Sequence, residues 1–388
     1  MTADVIIIGA GVIGSATALQ LSLLGVRDVL VVDRATVGSG MSCRSSALVR
    51  MHYTFPAEVE LAVRSDSMFK AWPELTGKPS CIRRTGFARI VAPGEESALR
   101  ANVEMQRALG ARAEVIDASG LKEVAPGFYV DDIGSVAWEP DGGYGDGAVV
   151  AGDLLAAARA RGVRYRPNCG VRSLLRDGDR VSGIEFGSGD GDVHAGAVIL
   201  AAGVWSPALA QTAGLELPIE TELHRVAVLA HGPADGAPIA CIDSVTQTYF
   251  RPEGAGAMTL VGSFVGPRGA DPDHVPATAA AEELAPQVQA ASRRVPSLAE
   301  AGIAGGVTGV YDMTPDARPL LGPVPGLDGL IIAAGFSGMG FKIAPAVGES
   351  IAGLIAGPPP GSVDLAPFRP SRFDEGTPIE APNPYSDD

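Results

Sequence analysis

The sequence has few of the residues that mark metalloproteins, disulfide-rich secreted proteins or nucleic-acid-binding proteins. Only 4 of its 388 residues are cysteines, and they lie far apart with no CxxC or metal-ligand spacing. The 5 histidines show no metal-ligand spacing either, so no metal site is predicted. Acidic residues outnumber basic ones by 45 to 30, and this excess argues against nucleic acid and anionic membranes as partners.

Long apolar runs are also missing. No stretch reaches the roughly 18 uncharged apolar residues that suggest a membrane-spanning helix. Residues 1–24 are apolar, but they lack the basic start of a signal peptide and contain glycines that suit a strand-to-helix turn. The sequence therefore predicts a soluble, cytoplasmic protein without a membrane span. It also lacks the GxSxG, P-loop and HExxH motifs of other enzyme chemistries.

The N-terminal residues match the pattern of a dinucleotide-binding βαβ unit. In order, the unit contains an apolar run at 5–8, the glycines Gly9, Gly11 and Gly14, an amphipathic stretch at 15–24, a second apolar run at 29–32, and Asp33. Gly9 permits the tight turn, Gly11 lets a pyrophosphate approach the backbone, and Gly14 lets helix and strand pack closely. The Asp33 carboxylate can accept hydrogen bonds from a ribose. The alternative is a glycine-rich turn in some other α/β protein.

The rest of the chain continues the α/β pattern, and its length exceeds that of a usual single core, so two domains are expected. Helices are predicted at 58–72, 153–161, 278–294 and 344–356, and a hairpin pairs 171–176 with 181–186. Apolar strands at 197–202 and 328–334 run into Gly203 and Gly335, as the first strand runs into Gly9. In a parallel sheet such turns share the ligand-binding edge, which indicates one long cofactor. The tail after Gly357 is rich in Pro and acidic residues and predicts an extended or disordered end.

Four segments together resemble a known enzyme family. They are the N-terminal unit, residues 142–146, residues 201–206 and residues 311–349. They resemble the D-amino-acid-oxidase-like FAD-dependent oxidoreductases, in the branch of sarcosine oxidase, dimethylglycine dehydrogenase and glycine oxidase. The most specific pieces are Tyr-Asp-Met-Thr-Pro-Asp at 311–316 and Gly-Phe-Ser-Gly-Met-Gly at 335–340. The resemblance extends from residue 4 to about residue 357.

The resemblance implies a two-domain α/β fold. A Rossmann-like FAD-binding domain, with the GxGxxG-containing βαβ unit, would comprise 1–57, 142–220 and 305–357. A substrate domain built on a mixed or antiparallel sheet would comprise 58–141 and 221–304. Residues 358–388 would form the Pro- and acid-rich C-terminal tail.

The resemblance also implies an amine oxidation. A hydride would pass from the α carbon of a small amino acid, secondary or N-substituted, to flavin N5, giving an imine that hydrolyses. The electrons would go to O₂ or to a partner protein. One alternative is a flavin subunit of a hetero-oligomeric dehydrogenase, another is a biosynthetic amine oxidase with a larger substrate, and a third is an NAD-dependent enzyme.

Three side chains are predicted to act on the substrate. The resemblance implies that Arg50 clamps the substrate carboxylate, for which a planar guanidinium is suited, although a structural salt bridge is the alternative. Lys342 would supply a second cation, unless it is a solvated lysine at a helix start. Tyr249 aligns with an active-site tyrosine, with ordinary strand packing as the alternative. His52 could enter the site and His224 could border the flavin, but a structural role is favoured for both.

The predicted cofactor-binding residues come mainly from the glycine-rich turns and the loop after the βαβ unit. They are Gly9, Gly11, Val12, Ile13, Gly14, Asp33, Arg34, Ser42, Arg44, Ser45, Ser46, Val171, Ala202, Gly203, Trp205, Gly335, Gly338, Met339, Gly340 and Lys342. Backbone N–H groups of the turn at 335–340 would stabilise the negative charge that develops at the flavin's polar edge.

The sequence departs from the family pattern at several positions. Gly309 stands where monomeric sarcosine oxidases carry the cysteine that links the flavin, so a non-covalent FAD is predicted. Met339 replaces a frequent histidine. Leu260 and Phe264 align where some of these oxidases have a lysine and a histidine, which predicts poor reactivity with oxygen and a more apolar pocket.

Overall fold

The computed structural model describes residues 2–187, 191–233 and 235–386. Within these residues the strands form two eight-stranded sheets and one two-stranded ribbon, and helices cover the first sheet. No helix in the described part combines the length and the apolarity needed to cross a membrane.

The strands are given in chain order. They are β1 Thr2–Ile8, β2 Val29–Val32, β3 Leu48–Val49, β4 Phe87–Val91, β5 Glu114–Ile116, β6 Ser135–Glu139, β7 Gly143–Tyr144, β8 Arg164–Arg166, β9 Val171–Asp177, β10 Arg180–Phe186, β11 Asp192–Leu200, β12 Glu220–Ala230, β13 Ala240–Asp243, β14 Thr248–Glu253, β15 Met258–Ser263, β16 Gly302–Met313, β17 Leu320–Val324 and β18 Leu327–Ala334.

The α-helices follow the same convention. They are α1 Val12–Leu23, α2 Pro56–Lys70, α3 Trp72–Thr76, α4 Glu96–Ala108, α5 Ala118–Val124, α6 Gly147–Ala160, α7 Ser206–Gln211, α8 Ala281–Arg294 and α9 Gly340–Ala356. All four predicted helices are present. Helix α6 begins earlier than predicted because the Asp146 carboxylate accepts hydrogen bonds from Ala148 N and Val149 N and caps the helix there.

The first sheet has a parallel centre in the order β18-β11-β1-β2-β8. The apolar runs at 5–8 and 29–32 form β1 and β2, and they are buried on both faces, as expected for central parallel strands. Helix α1 packs against α6 and α9 over one face. The hairpin of β9 and β10 is present and extends the sheet in antiparallel fashion. The α/β prediction is therefore confirmed.

The second sheet has the order β16-β12-β15-β14-β13-β4-β6-β5. Its pairings are antiparallel except between β13 and β4, so the predicted mixed sheet is confirmed. Helix α8 packs against β12, β14 and β15. The domain boundaries stay a prediction. Strand β16 crosses the predicted boundary at 305 and pairs within the second sheet.

Three parallel strands end side by side at the edge predicted to bind the cofactor. Ile8 of β1 lies opposite Leu200 of β11, and Leu200 lies opposite Ile332 of β18. The turns at Gly9, Gly203 and Gly335 therefore meet at one edge of the sheet. This juxtaposition was predicted from the sequence and is the main way in which the fold positions the site.

The tail was predicted to be extended or disordered, and the structure contradicts disorder for residues 358–386. Phe368 and Arg372 are fully buried, and Tyr385 is 5% exposed. The Arg372 guanidinium binds both oxygens of the Asp316 carboxylate, at 2.8 and 2.9 Å. A few anchoring side chains hold the segment in place, and the average composition of the tail does not reveal them.

Candidate active site

A groove of about 520 Å³ lies at the carboxyl edge of the first sheet. The turns after β1 and β11 line it, together with the loop after β2. Twelve predicted cofactor residues line this groove: Gly9, Gly11, Val12, Ile13, Asp33, Arg34, Ser42, Arg44, Val171, Ala202, Gly203 and Trp205. Sequence reasoning did not name Met41, Gly170 and Asp273, which line it as well.

The turn after β1 needs its glycines for different reasons. Gly9 has a φ of +109°, and a Cβ there would lie 2.3 Å from Ala201 O. A Cβ on Gly14 would lie 1.9 Å from Gly9 O, so a side chain at this position would push α1 off the turn. Gly14 therefore shapes the groove from behind without lining it, and this agrees with the packing role inferred from the motif.

The polar groups of the groove suit a dinucleotide. Helix α1 begins after Gly11, which has no side chain to cap it, and Val12 N donates to Ser42 Oγ at 3.1 Å. A helix N-terminus of this kind favours phosphate groups. Asp33 accepts from Ala10 N at 2.7 Å and Ala35 N at 2.8 Å. A carboxylate retains further lone pairs for ribose hydroxyls, so these residues fit FAD.

Side chains close the rim of the groove. Arg34 makes an ion pair with Asp273 at 2.6 Å and lies 4.0 Å above the Trp205 ring. Trp205 Nε1 also donates to Asp273, at 3.0 Å. Arg34 and Asp273 are each about half exposed. Asp273 lies in the segment between β15 and α8, so a part of the chain outside the first sheet covers the cofactor groove.

A separate cavity of about 260 Å³ brings the three predicted substrate residues together. Arg50 follows β3, Tyr249 belongs to β14, and Lys342 lies in the first turn of α9. Ser45, Ser46, Gly338 and Met339, which were predicted to contact the flavin, line the same cavity. Gly335 and Gly340 line neither the groove nor this pocket. We call this cavity the substrate pocket.

Two cations of the pocket have no carboxylate partner. Within the described residues, neither Arg50 nor Lys342 has a carboxylate oxygen within 4.0 Å, and Arg50 Nε is buried without a hydrogen bond. The guanidinium lies 4.2 Å above the Tyr53 ring, and among the described residues Lys342 Nζ donates only to Gly338 O, at 3.4 Å. Burial, and secondly the Arg50 charge, hold the pKa of Lys342 well below its usual value. The arrangement favours binding of an anion.

Another cation of the pocket, Arg318, shows the contrast. Arg318 Nε lies 2.8 Å from Glu58 Oε1, and the Glu58 side chain is fully buried. Arg318 Nη2 also donates to Thr54 Oγ1 at 3.2 Å. The protein therefore neutralises the charge of Arg318 with its own carboxylate.

A buried carboxyl group supports the backbone beside Arg50. Glu139 Oε2 accepts from Met51 N at 2.8 Å, and this contact connects β6 to the segment after β3. Burial raises the pKa of Glu139 to about 8, and the Met51 N–H and the Arg50 charge oppose the shift. The carboxyl group is therefore mostly protonated at neutral pH and does not compensate the Arg50 charge.

An aromatic wall forms the other side of the pocket. Burial, followed by the neighbouring Tyr311 hydroxyl, raises the pKa of Tyr249 well above its usual value. The Tyr311 ring stacks on His224 with centroids 3.8 Å apart. His224 Nε2 donates to Glu222 Oε1 at 3.0 Å, and Nδ1 lies 3.2 Å from Ser263 O. His224 has hydrogen-bond partners on both nitrogens, which fits the structural role that the sequence favoured.

The positions that depart from the family pattern lie around the pocket. Phe264 and Met339 line it, and Leu260 lines a neighbouring cavity that also includes Arg44. A Cβ on Gly309 would lie 3.4 Å from the Arg44 Cβ. Phe264 and Met339 give the pocket part of an apolar lining, and the Arg89 guanidinium lies 5.8 Å from the centre of the Phe264 ring.

Several pocket residues were not predicted. Tyr311 lies within a motif that indicated the family, and its motif membership was a usable signal. Arg318 also lies in the stretch 311–349 that indicated the family, whereas Arg89 and Tyr385 carried no comparable signal, because the fold brings them to the pocket from remote segments. Tyr385 in particular lies in the tail that its composition predicted to be extended or disordered.

Comparisons with known proteins agree with this geometry. A family model described as FAD dependent oxidoreductase matches residues 4–354. The sequence is 28% identical over 385 residues to a 4-methylaminobutanoate oxidase (formaldehyde-forming) of Paenarthrobacter nicotinovorans, covering 94% of this chain and 45% of that protein. It is also 28% identical over 390 residues to a sarcosine oxidase subunit beta of Arthrobacter sp, covering 96% of this chain and 91% of that subunit.

A solved structure with the same fold is that of the L-proline dehydrogenase from P. horikoshii. It superposes with a TM-score of 0.86 at 25% sequence identity, covering 97% of this chain and 98% of the dehydrogenase. This chain thus spans the whole of some relatives and less than half the length of others.

Proposed function

Because the chain belongs to the family of FAD-dependent oxidoreductases, as its motifs predicted, we propose that it oxidises the bond between the α carbon and the nitrogen of a small amino acid. The substrate is secondary or N-substituted. The observation that carries this proposal is the pair of cations, Arg50 and Lys342, that share one pocket and lack a carboxylate partner among the described residues.

The two cations have two effects on an amino acid in the pocket. They bind its carboxylate, and the guanidinium can do so through two parallel hydrogen bonds. Their positive charge also opposes the ammonium form of the nitrogen and so favours the neutral amine, which has the lone pair that oxidation requires. No side-chain base is therefore assigned.

The remaining side chains orient the substrate and exclude water. Tyr249, Tyr311 and Phe264 lie along the wall of the pocket. Their rings reduce the water around the two cations and thereby strengthen the attraction to a carboxylate. When bound, the flavin supplies the acceptor for the hydride that leaves the α carbon.

We also propose that FAD is held without a covalent bond, because Gly309 offers no side chain for a thioether. Acid precipitation of the purified protein should then leave all flavin in the supernatant. Flavin that stays in the protein pellet would contradict this part of the proposal.

A second candidate function is suggested by one relative. The sarcosine oxidase subunit beta that this chain resembles over 96% of its length is named as a subunit. The chain would in that case pass electrons to a partner protein. Turnover of the isolated chain with O₂, compared with turnover with an artificial dye, distinguishes an oxidase from a dehydrogenase.

The test of the main proposal is anaerobic stopped-flow measurement of flavin bleaching. Sarcosine and other N-methyl amino acids are compared with their methyl esters, which keep the amine and lose the carboxylate charge. We expect rapid bleaching by at least one acid and bleaching at least ~30-fold slower by its ester, equivalent to about 2 kcal/mol. Equal rates for acid and ester, or a colourless protein that takes up no flavin on reconstitution, would overturn the proposal.

A further inference from the structure

The C-terminal tail follows an anchored course from the first sheet to α4. It is held at its start by the ion pair between Arg372 and Asp316, and Ile379 N donates to the same carboxylate at 2.9 Å. Farther on, Asn102 Nδ2 of α4 donates to Asn383 O at 2.9 Å. Ser386 N then donates to Glu95 Oε1 at 2.7 Å. These two contacts hold residues 383–386 of the tail on α4, next to the substrate pocket.

Tyr385 is the tail residue that enters the pocket. Its hydroxyl lies 2.9 Å from His52 Nε2, and the two rings are nearly parallel with centroids 5.8 Å apart. The Arg89 guanidinium lies 4.9 Å from the centre of the same ring. The phenol ring also belongs to an apolar cluster with Leu99 and Val103 of α4. One side chain thus packs against α4 and lines the pocket that contains Arg50 and Lys342.

These contacts hold the ring in one position. The hydrogen bond, the ring stack and the cation–π contact together offset the conformational entropy that the buried tyrosine side chain loses when it is ordered. Burial, and secondly the charges of Arg89 and Arg50, hold the pKa of His52 well below its usual value. The ring therefore adds volume and apolar surface to the pocket.

We propose that Tyr385 sets the size of side chain that the substrate pocket accepts. The carboxylate of the substrate is held at Arg50 and Lys342, so the Tyr385 ring limits the space left for the rest of the molecule. The pocket then selects small N-substituted amino acids over bulky ones. This inference rests on the proposed function, because it takes the ligand to be an amino acid.

The test uses three full-length variants. Tyr385→Ala removes the ring, Tyr385→Leu keeps apolar contact with α4 but shortens the side chain, and Tyr385→Phe removes only the hydroxyl. Tyr129→Ala is the matched control, because Tyr129 is 45% exposed and does not line the pocket. Anaerobic flavin reduction is measured with sarcosine, N-methylalanine, N-methylleucine and N-methylphenylalanine.

We expect a change in selectivity for the two shortened side chains. The ratio of the second-order reduction rate for N-methylphenylalanine to that for sarcosine should rise at least ~10-fold in Tyr385→Ala and Tyr385→Leu. A change of side-chain size in a pocket alters the discrimination between large and small substrates by about that factor. The ratio should change less than ~3-fold in Tyr385→Phe and Tyr129→Ala. An unchanged ratio in both shortened variants would overturn the proposal.

A second measurement separates this inference from the proposed function. Acrylamide quenching of flavin fluorescence reports access through the pocket without any substrate, and it should increase in Tyr385→Ala and Tyr385→Leu but not in Tyr129→Ala. If no amino acid bleaches any variant and quenching still rises, the ring closes the pocket and the proposed function is wrong. If neither bleaching nor a rise in quenching is seen, Tyr385 does not wall the pocket.

Discussion

The cofactor groove and the substrate pocket are neighbours, yet they are built in different ways. Glycine-rich turns contribute much of the groove, and each turn, such as residues 9–14, is a short segment that a sequence motif can reveal. Side chains form the substrate pocket, and they come from β14, α9, the segment after β3 and the C-terminal tail. A site made of local backbone can be predicted from a motif, whereas a site made of remote side chains depends on the whole fold.

The two regions also differ in electrostatics. At the polar end of the groove, the Asp33 carboxylate and the Ser42 hydroxyl have backbone hydrogen-bond partners. The pocket contains Arg50 and Lys342 without carboxylate partners in the described residues. Such charges, half-buried at Arg50 and buried at Lys342, reduce stability until a ligand of opposite charge binds. FAD binding in the groove is expected to depend on the shape of the groove, and carboxylate binding in the pocket on charge.

The largest effect is expected from a substitution that breaks the backbone of the groove. Gly14→Val places a Cβ 1.9 Å from Gly9 O, and neither backbone segment can move without displacing α1 or β1. We expect loss of bound FAD and a fall in the free energy of unfolding of about 3 kcal/mol or more. The ratio of flavin to protein absorbance and the melting temperature measure both effects.

The control for this variant is another glycine of the same domain. Gly152 lies in α6, and an added Cβ would meet nothing within 4 Å. Gly152→Ala should leave FAD content unchanged and should raise stability by up to about 1 kcal/mol. Full FAD content and an unchanged melting temperature in Gly14→Val would show that the groove tolerates more change than its geometry indicates.

The second largest effect tests the charge of the pocket. Arg50→Ala removes one of the two cations, and we expect weaker binding of carboxylate substrates by about 2–5 kcal/mol, or ~30- to 5000-fold in the dissociation constant. FAD content should not change, because Arg50 does not line the groove. Arg100→Ala, at an exposed position of α4, is the control. An unchanged affinity for every carboxylate, or loss of FAD, would remove the distinction between the two regions.

Sequence reasoning predicted the first region better than the second, for a physical reason. The Gly9–Gly14 turn, the three strand ends and the groove residues follow from patterns within single segments. Arg50, Tyr249 and Lys342 were named from a family resemblance, and the structure places them in one pocket while their roles stay predictions. Tyr385 could not be predicted, because its position depends on several contacts with remote segments, such as those of the Arg372–Asp316 ion pair and of Asn383 with Asn102.

The third prediction concerns the pH dependence of carboxylate binding in the pocket. Burial and the Arg50 charge lower the pKa of Lys342 in the protein, so its charge is present below that lowered pKa and is lost as the pH rises through it. Affinity for a carboxylate without an amine, such as 2-furoate, should therefore fall with rising pH by at most tenfold per pH unit. Flavin absorbance titrations measure this affinity.

Lys342→Met should abolish this pH dependence and leave an affinity close to that of the wild type at high pH. Lys122→Met, at an exposed position of α5, should keep the wild-type profile. If Lys342→Met retains the same pH dependence, another group of the pocket titrates in this range, and the second cation has been assigned to the wrong residue.

The smallest effect is expected at the rim of the groove, which is formed by side chains. Asp273→Ala removes the ion pair with Arg34 and the hydrogen bond from Trp205. Because both charged groups are about half exposed, the pair contributes at most about 1 kcal/mol, and the FAD dissociation constant should rise no more than ~5-fold. Salt should reduce the difference between variant and wild type further, since exposed pairs are screened.

Equilibrium reconstitution of the apoprotein at low and high salt measures the FAD dissociation constant, with Asp235→Ala, outside the lining of the groove, as the control. A loss of FAD as large as that of Gly14→Val would mean that the segment carrying Asp273 holds the cofactor, and that the groove is not defined by its backbone.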